Sequence, residues 1–302
     1  MSSRTRSGKN SNWQSLKSQR SSSMPIHDQG YRRYGGDKTR GGTGWIVITR
    51  AGIRTFFAKR AFLGLLLVSW FPFFVRAVQI YAATNLPQAA FLAPTPETFR
   101  QFLDQQQIFV FFVTVYVGAG LIANDRRANA LQIYLSKPLT RAEYVFGKLA
   151  ILMAFLALVT WLPAIVLLIV QISFAGNFTF FKNNIFLFPA ITVFSFVQVT
   201  MVATAMLALS SLSKSSRYVG ILYAAVIFFT QAIYGVLYAV TRSTSLSWIS
   251  FSANLSQIGD VIFRQPLKYD TPWPVSLMMI AGLIVISGVI LERRVRGVEV
   301  VA

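Results

Sequence analysis

Apolar runs long enough to cross a bilayer recur along this chain, and they constrain its fold more than any other feature. An α-helix rises 1.5 Å per residue, so about 20 apolar residues match the hydrocarbon thickness of a membrane. Such runs lie at 61–81, 104–123, 149–170, 185–209, 218–240 and 272–291. The second has the shortest uninterrupted core, 108–123, with Gln105, Gln106 and Gln107 before it. Pro163 predicts a kink in the third, because proline removes a helix hydrogen bond and clashes with the preceding turn. Only 13% of the residues are charged, about half the share of a soluble domain, so the chain could not cover itself with polar surface in water. The expected fold is all-α and membrane-integral, with six transmembrane helices.

The basic residues orient these spans. An even number of crossings puts both termini on one side, and 23 of the 29 Lys and Arg residues fall there. The opposite side holds five, Arg100, Lys182, Arg242, Arg264 and Lys268, and Arg76 lies within the first span. Cytoplasmic loops carry the excess of positive charge, so N- and C-termini are expected in the cytoplasm of a multi-pass cell-membrane protein. This distribution also disposes of a nucleic-acid reading of the +19 formal charge.

Residues 1–43 are rich in Ser, Arg and Gly, without apolar periodicity, and read as a disordered basic cytoplasmic tail. No apolar stretch follows them within signal-peptide reach. Residues 44–302 form the six-helix membrane domain, opened by an amphipathic stretch at 44–60. There Trp45, Thr49, Ile53, Phe56 and Phe57 share one helical face, and Arg50 and Arg54 lie beside it. The pattern predicts an interfacial elbow helix. Leu255, Ile258 and Ile262, in the outer loop 241–271, have the spacing of a short amphipathic helix on the outer membrane surface, with an irregular loop as the alternative.

Catalytic machinery has no parts here. There is no cysteine, and the single histidine, His27, sits in the polar tail, so thiolate chemistry, His-based metal sites and Ser-His triads are not expected. Gly147 and Lys148 lack the glycine spacing and following hydroxyl of a phosphate loop. No cofactor or metal is expected in this chain, and it is not expected to be an enzyme. None of the ten acidic residues falls in the core of an apolar run, where ion-driven transporters keep a coupling carboxylate. Arg76, about 7–8 Å from the outer end of its run, has two readings. Its head snorkels to the outer interface, or it lines a pathway for an anionic group.

The inner loop 124–148, NDRRANALQIYLSKPLTRAEYVFGK, is the least generic stretch. Leu131, Tyr134 and Leu135 form an apolar patch at i, i+3 and i+4 on a short helix that Pro138 must end. Thr140 and Glu143 have capping-box spacing, with Leu139 and Tyr144 placed as its hydrophobic staple, so a new helix starts at Thr140 and runs into the third span. A short helix, a sharp corner and a rigid rising helix are what a mechanical coupler needs.

This loop resembles the signature of ABC-2-type permeases, the membrane subunits of ABC exporters. In that family an acidic stretch ends the second span, followed by a Thr-Leu, a Leu-Ser-x-Pro corner, an Arg and a Gly-Lys. Asp125 stands at the acidic position, and Leu131, Leu135, Ser136, Pro138, Arg141, Gly147 and Lys148 match the remainder. Asn129 and Ala130 replace the family's Gly-Thr. The resemblance implies two permease chains, identical or different, around a shared pathway. Each would sit on a separate ATP-binding ABC subunit, which would bind and hydrolyse the ATP. Leu131, Tyr134, Leu135, Pro138 and Arg141 would form the ATPase-docking surface. A self-contained channel and a non-transporting scaffold are the competing readings.

Overall fold

The computed structural model describes residues 44–130, 140–175 and 179–295. Among these residues the regular structure is helical throughout, and six helical segments are long and apolar enough to cross a membrane. They are Arg60–Asn85, Pro96–Arg127, Arg141–Phe174, Leu187–Leu212, Ser216–Thr241 and Trp273–Arg294, spans 1 to 6 below. The end of the bundle that carries loop 124–148 is called inner, and the opposite end outer.

Span 4 is the axis of the bundle. In its most apolar stretch 67% of residues are buried, against 22% in span 1, 17% in span 5 and 22% in span 6. The faces left open on these outer spans are lined by Leu67, Val78, Phe229 and Val285, all of them apolar. That surface suits hydrocarbon as a solvent.

Before span 1, helix α1 (Gly44–Phe57) lies along the inner half of span 3. Gly147 permits the approach: a Cβ there would sit 2.9 Å from Ile48 Cβ and 3.1 Å from the Trp45 carbonyl oxygen. The Thr49 hydroxyl is 3.2 Å from the Gly147 carbonyl oxygen and 2.8 Å from that of Trp45. Phe56, Phe62 and Phe155 then close the corner, with Phe62 and Phe155 edge to face at 4.7 Å.

Spans 1 and 3 are each broken once. Span 1 consists of α2 (Arg60–Ser69) and α3 (Phe71–Asn85), parted at Trp70, where Pro72 opens the second piece. Span 3 consists of α4 (Arg141–Val159) and α5 (Trp161–Ala175), parted at Thr160, three residues before Pro163. Both breaks follow from the missing proline N–H.

Span 2 starts earlier than its apolar run. Helix α6 (Pro96–Val113) begins eight residues before position 104, with a Thr95–Thr98 capping box and Pro96 in its first turn. Hydropathy hides this beginning because it carries Glu97, Arg100 and Asp104, yet Phe99, Phe102 and Leu103 there are fully buried. Further in, α6 passes into a π-turn at Thr114–Gly118 and then into a short helix, α7 (Ala123–Arg127). Span 4 is a single helix, α8 (Leu187–Leu212), and span 5 is α9 (Ser216–Thr241).

The outer loop contains helix α10 (Phe251–Ile262), followed by span 6 as α11 (Trp273–Arg294). A surface-lying amphipathic helix was the expectation, and the structure corrects it. Ala253, Asn254, Leu255, Gln257, Ile258, Gly259 and Asp260 are all buried, so α10 is wedged among spans 4, 5 and 6. Its polar side is held inside the protein by partners the apolar spacing does not reveal.

Candidate functional site

The inner junction is built where spans 2 and 3 flank loop 124–148. Thr140 caps α4: its hydroxyl accepts from the Glu143 N–H at 3.2 Å, while the Glu143 carboxylate accepts from the Thr140 N–H at 2.9 Å. This reciprocal box fixes the first turn of span 3. One turn on, Tyr144 is fully buried and its hydroxyl donates to Asp125 Oδ2 at 2.7 Å. Lys148 Nζ stands 2.7 Å from the same oxygen and 5.5 Å from the Tyr144 ring centre. Tyr144 and Lys148 share a face because they are four residues apart on one helix. Asp125 thus ties the inner end of span 2 to two positions on span 3.

The neighbouring arginines extend the tie. Arg126 donates to the Ser211 carbonyl, and Arg127 Nε donates to the Lys214 carbonyl at 3.2 Å. The end of span 2 is therefore also fastened to the last turn of span 4 and to the short connection after it.

Just outward of this junction the backbone of span 2 is broken, and one hydroxyl from span 4 repairs it. Ser210 Oγ accepts from the N–H groups of Ile122 and Ala123, at 3.2 and 3.1 Å, and donates to the Ala119 carbonyl at 2.9 Å. A serine hydroxyl offers one donor and two acceptor sites, so Ser210 is fully used. The π-turn and this patched break lie on the segment that joins the inner junction to the membrane core.

A second polar cluster closes the outer end. Arg100 is 1% exposed, yet every nitrogen of its guanidinium has an acceptor. Nη1 meets Asp104 at 2.5 Å, Nε meets Asp260 at 3.2 Å, and Nη2 meets the Ser256 carbonyl at 3.1 Å. Phe194 of span 4 lies beneath it, ring centre 4.8 Å from the guanidinium carbon. Gly259 makes the stack possible, since a Cβ there would fall 2.5 Å from the guanidinium. Burial pushes the Asp260 carboxyl above the usual carboxylate range, and Arg100 and Lys268 pull it back. This staple binds α10 to spans 2 and 4.

Of the residues singled out for ATPase docking, Arg141 is exposed at the first turn of α4. Leu131, Tyr134, Leu135 and Pro138, together with Leu139 of the expected staple, lie outside the described residues. Arg76 donates to Gln79 Oε1 at 2.8 Å and to Gln101 Oε1 at 3.4 Å, toward the outer end of span 2. Three roles went unread in the sequence: the Arg100–Asp260 pair, the Ser210 patch and the pairing of Asp125 with Tyr144 and Lys148. The i, i+4 spacing of Arg100 with Asp104 was the available signal for the first, while Asp260 lies 160 residues away. Among the described residues no group of three His, Cys, Asp or Glu side chains could hold a metal ion.

No curated protein matches the chain. A family model described as "ABC-2 family transporter protein" matches residues 37–257, which include α1, spans 1 to 5 and the inner loop. The chain belongs to the ABC-2 family of transporter proteins.

Proposed function

We propose that this chain is the permease subunit of an ABC-2 exporter in the cell membrane, with both termini in the cytoplasm. It forms the substrate pathway together with a second permease chain. A separate ATP-binding ABC subunit docks on the inner loop through Leu131, Tyr134, Leu135, Pro138 and Arg141.

The observation that carries this reading is the Asp125 clamp. It joins the two spans that flank the loop, at 2.7 Å to Tyr144 and 2.7 Å to Lys148. A force applied to residues between them moves the inner ends of spans 2 and 3 as one body. Arg126 carries the same displacement to the last turn of span 4, and Arg127 to the connection after it. A loop serving only to join two helices has no need of this bracing.

Co-purification with the candidate ATPase, together with its hydrolysis rate in nanodiscs, tests the proposal. A Leu131/Tyr134/Leu135 triple alanine variant is expected to lose the ATPase while remaining inserted. Full ATPase retention by that variant, or conductance by the purified chain alone in liposomes, would overturn the assignment.

A further inference from the structure

Helix α10 carries buried side-chain oxygens without a hydrogen-bond partner on Asn254, Gln257 and Asp260. A buried acceptor left unpaired costs folding free energy, so each calls for a donor. Two of these oxygens are fixed in place. Gln257 cannot turn its amide over, because its Nε2 donates to the Tyr269 carbonyl at 3.1 Å and to the Thr271 carbonyl at 2.8 Å, which uses both N–H groups. Its Oε1 is therefore an acceptor only. Asp260 lies three residues on, a neighbouring position on a helix surface. Its Oδ1 accepts from Arg100 Nε at 3.2 Å, while the buried Oδ2 has no donor. Lys268, next to the Tyr269 that holds the Gln257 amide, stands 3.9 Å from Asp260 Oδ1. The segment before span 6 thus meets both side chains, and two acceptors there lack one hydrogen.

The surrounding charges leave room for that hydrogen. Arg100 has its shortest contact with Asp104, at 2.5 Å, so two carboxylates share one buried guanidinium. The charged and titratable groups facing Asp260 are Arg100 and Asp104 from span 2, and Lys268 and Tyr269 from the segment before span 6. Span 5 adds Tyr234, whose ring lies 6.0 Å from that of Tyr269, and the outer ends of spans 4 and 6 present no titratable side chain. Tyrosine and lysine titrate near about pH 10, so only the two carboxyls respond below neutrality. Outer water reaches the cluster at Lys268 and Asp104, whose side chains are 55% and 30% exposed.

We infer that Asp260 is a proton-binding switch at the outer end of the bundle: acid protonates its Oδ2, which then donates to Gln257 Oε1 and tightens the seat of α10. One proton pairs both orphaned oxygens. Oδ1 remains an acceptor for Arg100, and Asp104 continues to balance the guanidinium charge. The sign of the effect follows from burial, which raises the proton affinity of the Asp260 carboxyl above that in the unfolded chain. Such a group adds stability as pH falls from its folded-state value toward its unfolded one, the reverse of a carboxylate whose affinity is lowered by pairing. The switch does not depend on the permease reading.

The test uses the full chain in nanodiscs, without any ATPase, between about pH 7.5 and about pH 4.5. Asp260→Asn carries an amide N–H where the bound proton would sit. It should unfold at a higher temperature than the parent at the neutral end, and the difference should close toward the acid end. A difference that stays constant, or widens in acid, would overturn the switch. Infrared difference spectra of chain labelled with carboxyl-¹³C aspartate read the proton directly. The parent should gain a protonated-carboxyl band over this interval that Asp260→Asn lacks, and the same band in both would also overturn it. Should Asp260→Asn fail to fold, Gln257→Met keeps the carboxyl and removes its acceptor. The aspartate band should then appear about one pH unit lower, the worth of one hydrogen bond. A band at the parent's pH in that variant would overturn the assigned acceptor, and no aspartate band in the parent would overturn the site.

Discussion

At Gly259 one absent methyl group decides whether the outer ends of the spans stay joined. The Arg100 guanidinium lies against the α10 backbone there, where an added Cβ would stand 2.5 Å from its carbon. Gly259→Val must therefore displace the guanidinium from Asp260, leaving two opposite charges buried and parted. Removing one partner of a buried pair costs about 3–5 kcal/mol, because the other charge is stranded. Gly259→Val and Arg100→Leu are expected to lower the thermal unfolding midpoint in detergent by similar amounts, and the double variant by little more than either alone. Additive losses would show that the two residues act independently. Sequence reasoning assigned Arg100 to the outer side and went no further, because its pairing with Asp260 depends on a contact made across 160 residues. Arg76 is a parallel case: its guanidinium donates to Gln79 and Gln101, contacts that its position in an apolar run does not reveal.

Helices were legible wherever hydropathy alone decides them, and less so where polar groups are paid for by distant partners. Spans 3, 5 and 6 are continuous apolar runs that need nothing else to be recognised. Span 2 misleads at both ends, since its first turns carry buried charge and its inner part leaves the α-helical pattern at Thr114. A π-turn followed by a break exposes backbone groups that no membrane water can satisfy. Ser210 satisfies three of them from a neighbouring span, an arrangement no local pattern in span 2 encodes. Ser210→Ala should orphan the N–H groups of Ile122 and Ala123 at a cost of about 1–3 kcal/mol. Hydrogen exchange in nanodiscs should then speed up at residues 119–123 before it does elsewhere in span 2. Unchanged exchange there would mean that the break closes on itself.

At the scale of the whole molecule, the proposed function assigns docking and transmission to separate residues. In that proposal the apolar patch of Leu131, Tyr134 and Leu135 would hold the partner, and the Asp125 clamp would deliver its motion to spans 2 and 3. Tyr134→Ala removes the largest ring of the patch, about 1.5–3 kcal/mol of burial, so ATPase affinity should fall roughly 10- to 100-fold. Asp125→Ala leaves the patch untouched but releases Tyr144 and Lys148 together. Its ATPase affinity should stay within about threefold of the parent, since no docking side chain changes. Hydrolysis by the docked ATPase should continue while substrate flux per ATP falls, because the two spans no longer move as one. Asp125→Glu keeps the charge on a longer arm and should recover part of the flux. Titration of ATPase binding alongside flux and hydrolysis in proteoliposomes separates these outcomes. Loss of binding in Asp125→Ala, or full coupling in its presence, would place transmission elsewhere in the loop.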